Sequence, residues 1–146
     1  MDNINWGEIT TAPDFDECFN DKEIEGKIVN VYDGDSVKII IPFLDYFFRV
    51  TCRLAHVDTP EIRAKTIEEK NYAILVRDKL REKILDKVVT IKCGKMDKYG
   101  RLLVNIFLYN EEKSINDWLI ENKYAYPYEG ATKKDWETIL KANLKE

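Results

Sequence analysis

Between Ile24 and Leu54 apolar residues recur at every second position and turn residues interrupt them, which is the pattern of half-buried strands. The first strand is predicted over Ile24 to Tyr32 and ends in the tight-turn pair Asp33-Gly34. The second alternates Val37, Ile39 and Ile41 with Lys38 and Ile40 and stops near Pro42. In the third, Phe48, Val50, Cys52 and Leu54 point one way and Phe47, Arg49, Thr51 and Arg53 the other, so Arg53 is set apart from its apolar neighbours and, like Arg101, is expected to be partly solvated. A loop from His56 to Lys65 follows, and then the period changes. Thr66 and Glu69 have capping-box spacing, and Ala73, Val76, Leu80 and Ile84 form the apolar stripe of a helix running to about Leu85. Next come a strand through Val89, Ile91 and Cys93, a turn from Met96 to Gly100, and a strand through Leu102, Val104, Ile106 and Leu108 with Arg101 and Asn105 on its other face. Ser114 with Asp117 and Thr132 with Asp135 mark two more helix starts, the first burying Ile115, Trp118 and Leu119, the second Trp136, Ile139 and Leu140.

Five short strands with one long helix after the third, and helices trailing, is the element order of a five-stranded OB-type barrel. An α+β domain with about three helices is therefore expected over residues 24–146, preceded by an acidic leader over residues 1–23. With 45% hydrophobic and 12% aromatic residues in 146, the chain can bury one real core. No run approaches the roughly 18 apolar residues that cross a bilayer, and the start has no basic segment followed by an apolar one. The expectation is a cytoplasmic monomer that makes no membrane contact. Three cysteines, Cys18, Cys52 and Cys93, without Cys-x-x-Cys or Cys/His ligand spacing argue against a zinc site or a disulfide framework and fit a reducing compartment.

Charge changes the picture, because its sum misleads. Residues 1–25 hold eight acids and one lysine, a net of −7, so that a chain total of −4 leaves +3 on the rest. The leader reads as a solvated tail, a partner-binding segment, or an arm lying on the body.

The densest polar groups are Asp33-Gly34-Asp35-Ser36 at one turn and Asp58-Thr59-Pro60-Glu61 after a later strand. In a three-strand meander the start of the second strand and the end of the third lie at one end of the sheet, so Asp35 and Asp58 can converge. Each segment alone also reads as a plain turn. Together, their carboxylates would repel unless a hard cation such as Ca²⁺ took oxygen ligands from them. Arg53 lies just before Asp58, and Arg101 follows the turn Asp97-Lys98-Tyr99-Gly100. Two guanidinium groups beside such a site suit a phosphodiester, whose oxygens they contact through forked hydrogen bonds and whose transition-state charge they offset.

Val31 to Lys38 (VYDGDSVK), Arg53 to Glu61 (RLAHVDTPE) and Asp97 to Leu102 (DKYGRL) resemble, in order and separation, the three signature segments of the staphylococcal nuclease-like (thermonuclease) family. The resemblance covers about residues 24 to 128. It implies Asp35 and Asp58 as side-chain calcium ligands, Thr59 as a ligand through its carbonyl, and Asp33 in support of them. It also implies Glu61 acting on the attacking water, and Arg53 and Arg101 binding the scissile phosphate. Lys98 and Tyr99 would contact a terminal phosphate. The stacking tyrosines of the family have a loose counterpart in Tyr124, Tyr126 and Tyr128, and spacing does not fix which one matches. Ser36 stands where threonine is usual, and His56, read as a packed or rim residue, at a normally aliphatic position. The implied reaction is Ca²⁺-dependent hydrolysis of the P–O5′ bond in DNA or RNA, leaving a 3′-phosphate and a 5′-hydroxyl. The alternative is a catalytically inactive relative that binds nucleic acid or protein, although such a module would be expected to lose at least one of the five polar residues.

Overall fold

The computed structural model describes residues 3–130, 133 and 135–144. Strands β1 (Glu23–Val31), β2 (Ser36–Phe43) and β3 (Tyr46–Leu54) form an antiparallel meander, and β4 is the short strand Val57–Asp58. Helix α1 (Ile67–Ile84) follows, then β5 (Val88–Met96), β6 (Leu102–Phe107), α2 (Ile115–Glu121), β7 (Tyr126–Pro127) and α3 (Trp136–Leu144). The sheet closes into a barrel in the order β1-β2-β3-β6-β5, with β5 returning to β1. Only β3 and β6 run parallel, pairing Cys52 with Leu102 and Leu54 with Val104. This is the OB-type α+β architecture, in which closure leaves no long strand edge open.

The alternation read from the sequence sets the core. Ile28, Val31, Val37, Ile39, Ile41, Leu54, Ile91, Val104 and Ile106 all point inward. Ala73, Val76, Leu80 and Ile84 lay the buried stripe of α1 over the barrel end. Cys52 and Cys93 are buried free thiols, with burial pushing them up to about 12 and about 11, so neither supplies a thiolate near neutral pH. Among the described residues no helix is long and apolar enough to cross a membrane.

Several details differ from the sequence expectation. Helix α1 is capped by Thr66 Oγ1 accepting from the Glu69 amide at 3.3 Å, but the Glu69 carboxylate does not close the box. It accepts instead from the amide of Glu61 at 3.0 Å, which ties the loop before the helix to its first turn. Asp135 Oδ1 accepts from the Glu137 amide, whereas Thr132 lies outside the described residues. Strands β4 and β7, two residues each, are too short to show a period. The acidic leader touches the barrel: Phe19 is buried with its ring 5.0 Å from that of Phe43, and Asp21 and Lys22 exchange backbone bonds with Cys93.

Gly34 fixes where the first acidic turn sits. A Cβ built there would meet Val76 Cγ1 at 2.8 Å and Thr59 Cβ at 2.9 Å, so the turn lies directly on α1 and on the Asp58-Thr59 segment. Gly34→Ala should therefore overpack this junction and cost about 1–3 kcal/mol, a melting-point drop of about 3–10 °C. Calorimetry at unchanged temperature would show the close approach to be unnecessary.

Candidate active site

Strand register assembles the site. Ser36 faces Arg53 across the β2–β3 pair, so the arginine at the end of one strand meets the acidic turn at the start of the other. Arg53 Nη2 lies 3.4 Å from Asp35 Oδ2. The parallel β3–β6 pairing then brings in Arg101, the residue before β6, whose Nη1 donates to Ser36 Oγ at 3.4 Å. The β4–β7 ladder places Asp58 opposite Tyr126.

Within this frame each group has a distinct environment. Arg53 is buried, at 8% exposure, and also donates to the carbonyls of Leu54 (2.9 Å) and Val57 (3.1 Å). The expectation that it would be partly solvated is corrected: the chain turns back into β4 at the strand end, where the Val57 carbonyl takes one of its donors. Arg101 does remain part-exposed. Its Nε binds Asp97 Oδ2 at 2.8 Å, while its amide and that of Tyr99 donate to Asp97 Oδ1, and Gly100 takes the left-handed φ of 78° that the turn needs. Burial alone would raise the Asp97 pKa, but those amides and the Arg101 guanidinium outweigh it and hold the carboxyl below the usual carboxylate range.

The acids next to the cleft behave oppositely. Asp33, whose Oδ1 accepts from the Asp35 amide, is pushed up to about 7, by burial first and then by the charge of Asp35. Asp58, only 3% exposed, is also raised by burial, an effect that Lys133 and the hydrogen bond from Trp136 Nε1 (3.2 Å) partly offset and the Asp35 charge reinforces. Thr59 is buried beside it, and Glu61 is exposed at the rim.

Lys133 was not anticipated from the sequence. Its ammonium lies 3.6 Å from both Asp58 Oδ1 and Glu61 Oε1. It therefore stands between two acids that the sequence reading left without a base, and a lysine pair inside a helix-start pattern gives no signal of such a placement. The three tyrosines separate. Tyr124 packs on Tyr72 and Trp118, Tyr126 packs against Trp136 at 4.9 Å, and Tyr128 alone of the three lines the cleft, with the Arg53 guanidinium 5.8 Å and the Lys133 ammonium 5.5 Å from its ring centre. Lys98 and Tyr99 also lie there, with the Arg101 guanidinium 5.4 Å from the Tyr99 ring. His56 is a rim residue, held in a left-handed backbone conformation with Nδ1 3.0 Å from Glu129 Oε2.

Two adjoining clefts result, of about 440 and 580 Å³, and Arg53, Tyr99, Arg101 and Lys133 border both. Among the described residues no three His, Cys, Asp or Glu side chains form a ready metal cage. Asp35 and Asp58 with the Thr59 carbonyl supply two carboxylates and one neutral oxygen. That hard-donor set fits a divalent cation, which these three groups would hold. Burial first, and the Asp35 charge to a lesser extent, push the Asp58 carboxyl above the usual range, and a cation held there would favour its ionised form.

Residues 51–145 match the family described as staphylococcal nuclease homologue. The chain belongs to that family. The match takes in Arg53, Asp58, Thr59, Glu61 and Arg101 and starts beyond the Asp33–Ser36 turn. Two Escherichia coli proteins, one of them from strain O157:H7, each bear the name "Uncharacterized endonuclease" and are 26% identical to this chain over 107 residues, 73% of its length. The aligned region spans 63% of those proteins, less than two thirds of their own length.

Proposed function

We propose that this domain is a Ca²⁺-dependent phosphodiesterase acting on DNA and RNA, with 3′-phosphate and 5′-hydroxyl products. The observation that carries the reading is the meeting of Arg53 and Arg101 at Asp35 and Ser36, on the larger cleft, which Glu61 and Lys133 also border. Membership of the family, and the endonuclease name of the two relatives, support it.

Arg53, pinned by two carbonyls and a carboxylate, is preorganised to hold one phosphate oxygen, and Arg101 to meet charge that develops later. Glu61, exposed at the rim, is placed to orient or deprotonate a water. Asp33, as acceptor from the Asp35 amide, holds the turn that aims Asp35. Asp35, Asp58 and the Thr59 carbonyl would hold the cation, which when bound neutralises phosphate charge and polarises water. Tyr99 and Tyr128 offer ring faces for bases, and stacking tolerates any sequence.

A second reading, binding without hydrolysis, draws on Lys133, which already sets a positive charge between Asp58 and Glu61. One assay separates the two. The full chain should digest single-stranded DNA and RNA in millimolar Ca²⁺, stop on chelation, and leave products that a 3′-phosphatase alters. Bound but intact nucleic acid would select the second reading, and 5′-phosphate ends would overturn the bond assignment.

A further inference from the structure

The larger cleft holds more positive charge than the proposed chemistry uses. Arg53, Arg63, Arg77, Arg81, Arg101 and Lys133 border it, against the carboxylates of Asp33, Asp35 and Glu61, in a chain whose net charge is −4. Arg53, Arg101 and Lys133 have acidic partners inside the site. The other three do not. Arg63 has no hydrogen-bond or ion-pair partner among the described residues. Among the described residues Arg77 pairs only with its exposed sequence neighbour Asp78, and Arg81 spends its Nε on the Val31 carbonyl at 3.1 Å.

Their position on α1 is unfavourable by itself. Arg77 and Arg81 are one helical turn apart, so their charges lie side by side, and like charges at that spacing destabilise a helix. They flank the buried Val76 and Leu80, which turns both toward the body of the protein and leaves both half-buried on the cleft wall. Among the described residues none of Asp33, Asp35 and Glu61 forms an ion pair with either arginine, and an anion in the cleft would offset this repulsion beyond what Asp78 does.

We infer that Arg63, Arg77 and Arg81 form a second phosphate subsite, which takes the backbone of a single strand beyond the scissile bond. The inference deepens the nuclease reading and rests on it for the strand's path. The two clefts share Arg53, Tyr99, Arg101 and Lys133 in their linings, so a strand whose bases stack at Tyr99 and Tyr128 and whose phosphate reaches Arg53 has the α1 side of the larger cleft as its next surface.

The test is binding of the full chain, in chelator, to a labelled single strand of about 16 nucleotides, followed by anisotropy at several salt concentrations. The double variant R77Q/R81Q should raise Kd about tenfold at low salt and flatten the log–log salt slope by about 1.4, or 0.7 for each lost contact. R63Q removes an exposed side chain with no bond to lose and should flatten it by about 0.7, which keeps the test open if the double variant folds poorly. Unchanged affinity and slope in R63Q and in a folded double variant would overturn the subsite. With Ca²⁺ present, R77Q/R81Q should lose at least about ten times more kcat/KM on the oligonucleotide than on bis(p-nitrophenyl) phosphate, which carries one phosphodiester. Equal losses would place these arginines in the chemical step and reject the inference. If the wild-type chain binds as predicted yet hydrolyses neither substrate, the nuclease reading fails and the subsite stands.

Discussion

Arg101→Ala should lower kcat by about a thousandfold, roughly 4 kcal/mol of transition-state stabilisation, and hardly change the melting temperature. The separation follows from how the residue is held. The turn from Asp97 to Arg101 depends on main-chain groups, since Asp97 Oδ1 accepts from the amides of Tyr99 and Arg101 and the Asp97 amide donates to the Arg101 carbonyl. All of these survive in alanine. What is lost is a part-exposed ion pair with Asp97, worth about 1 kcal/mol at most, and the guanidinium that reaches Ser36 in the cleft. Steady-state rates on single-stranded DNA, beside a thermal melt, check both halves. A variant retaining more than about a tenth of the wild-type rate would show that Arg101 only shapes the turn.

The sequence made some parts of this site legible and hid others, for physical reasons. Alternation at Val37, Ile39 and Ile41 survives because β2 keeps one face on the barrel core through an unbroken register with β3. That register also carries the prediction that the Asp33–Ser36 turn meets Arg53. Arg101 was legible through its turn, because an Asp at the start and a Gly at the left-handed position are local requirements. The exposure of Arg53 was misread, since its Val57 acceptor lies in β4, which is held by a pairing with β7 some seventy residues later. Lys133 and Tyr128 reach the site by the same long return of the chain, and no spacing rule encodes it. Arg77 and Arg81 were within reach of helical reasoning: next to the apolar stripe Val76 and Leu80, they had to be half-buried rather than solvated.

Arg53→Ala should lower kcat as far as Arg101→Ala but should also destabilise the fold, by about 3 kcal/mol or roughly 10 °C in melting temperature. Arg53 is buried and supports three acceptors at once: Asp35 Oδ2 at 3.4 Å and the carbonyls of Leu54 and Val57 at 2.9 and 3.1 Å. Alanine leaves those carbonyls without this donor and Asp35, beside Asp33, without its cation, and stranding a buried charge costs more than the pair itself contributes. Arg53→Lys should recover only part of the loss, because one ammonium cannot span a carboxylate and two carbonyls in the geometry of a planar fork. A double-mutant cycle gives the decisive measurement. Asp35→Asn removes the stranded charge, so D35N/R53A should unfold at higher denaturant concentration than R53A while remaining inactive. If the double variant is no more stable than R53A, the cost lies in the two carbonyl bonds, and the ion pair does not support the fold.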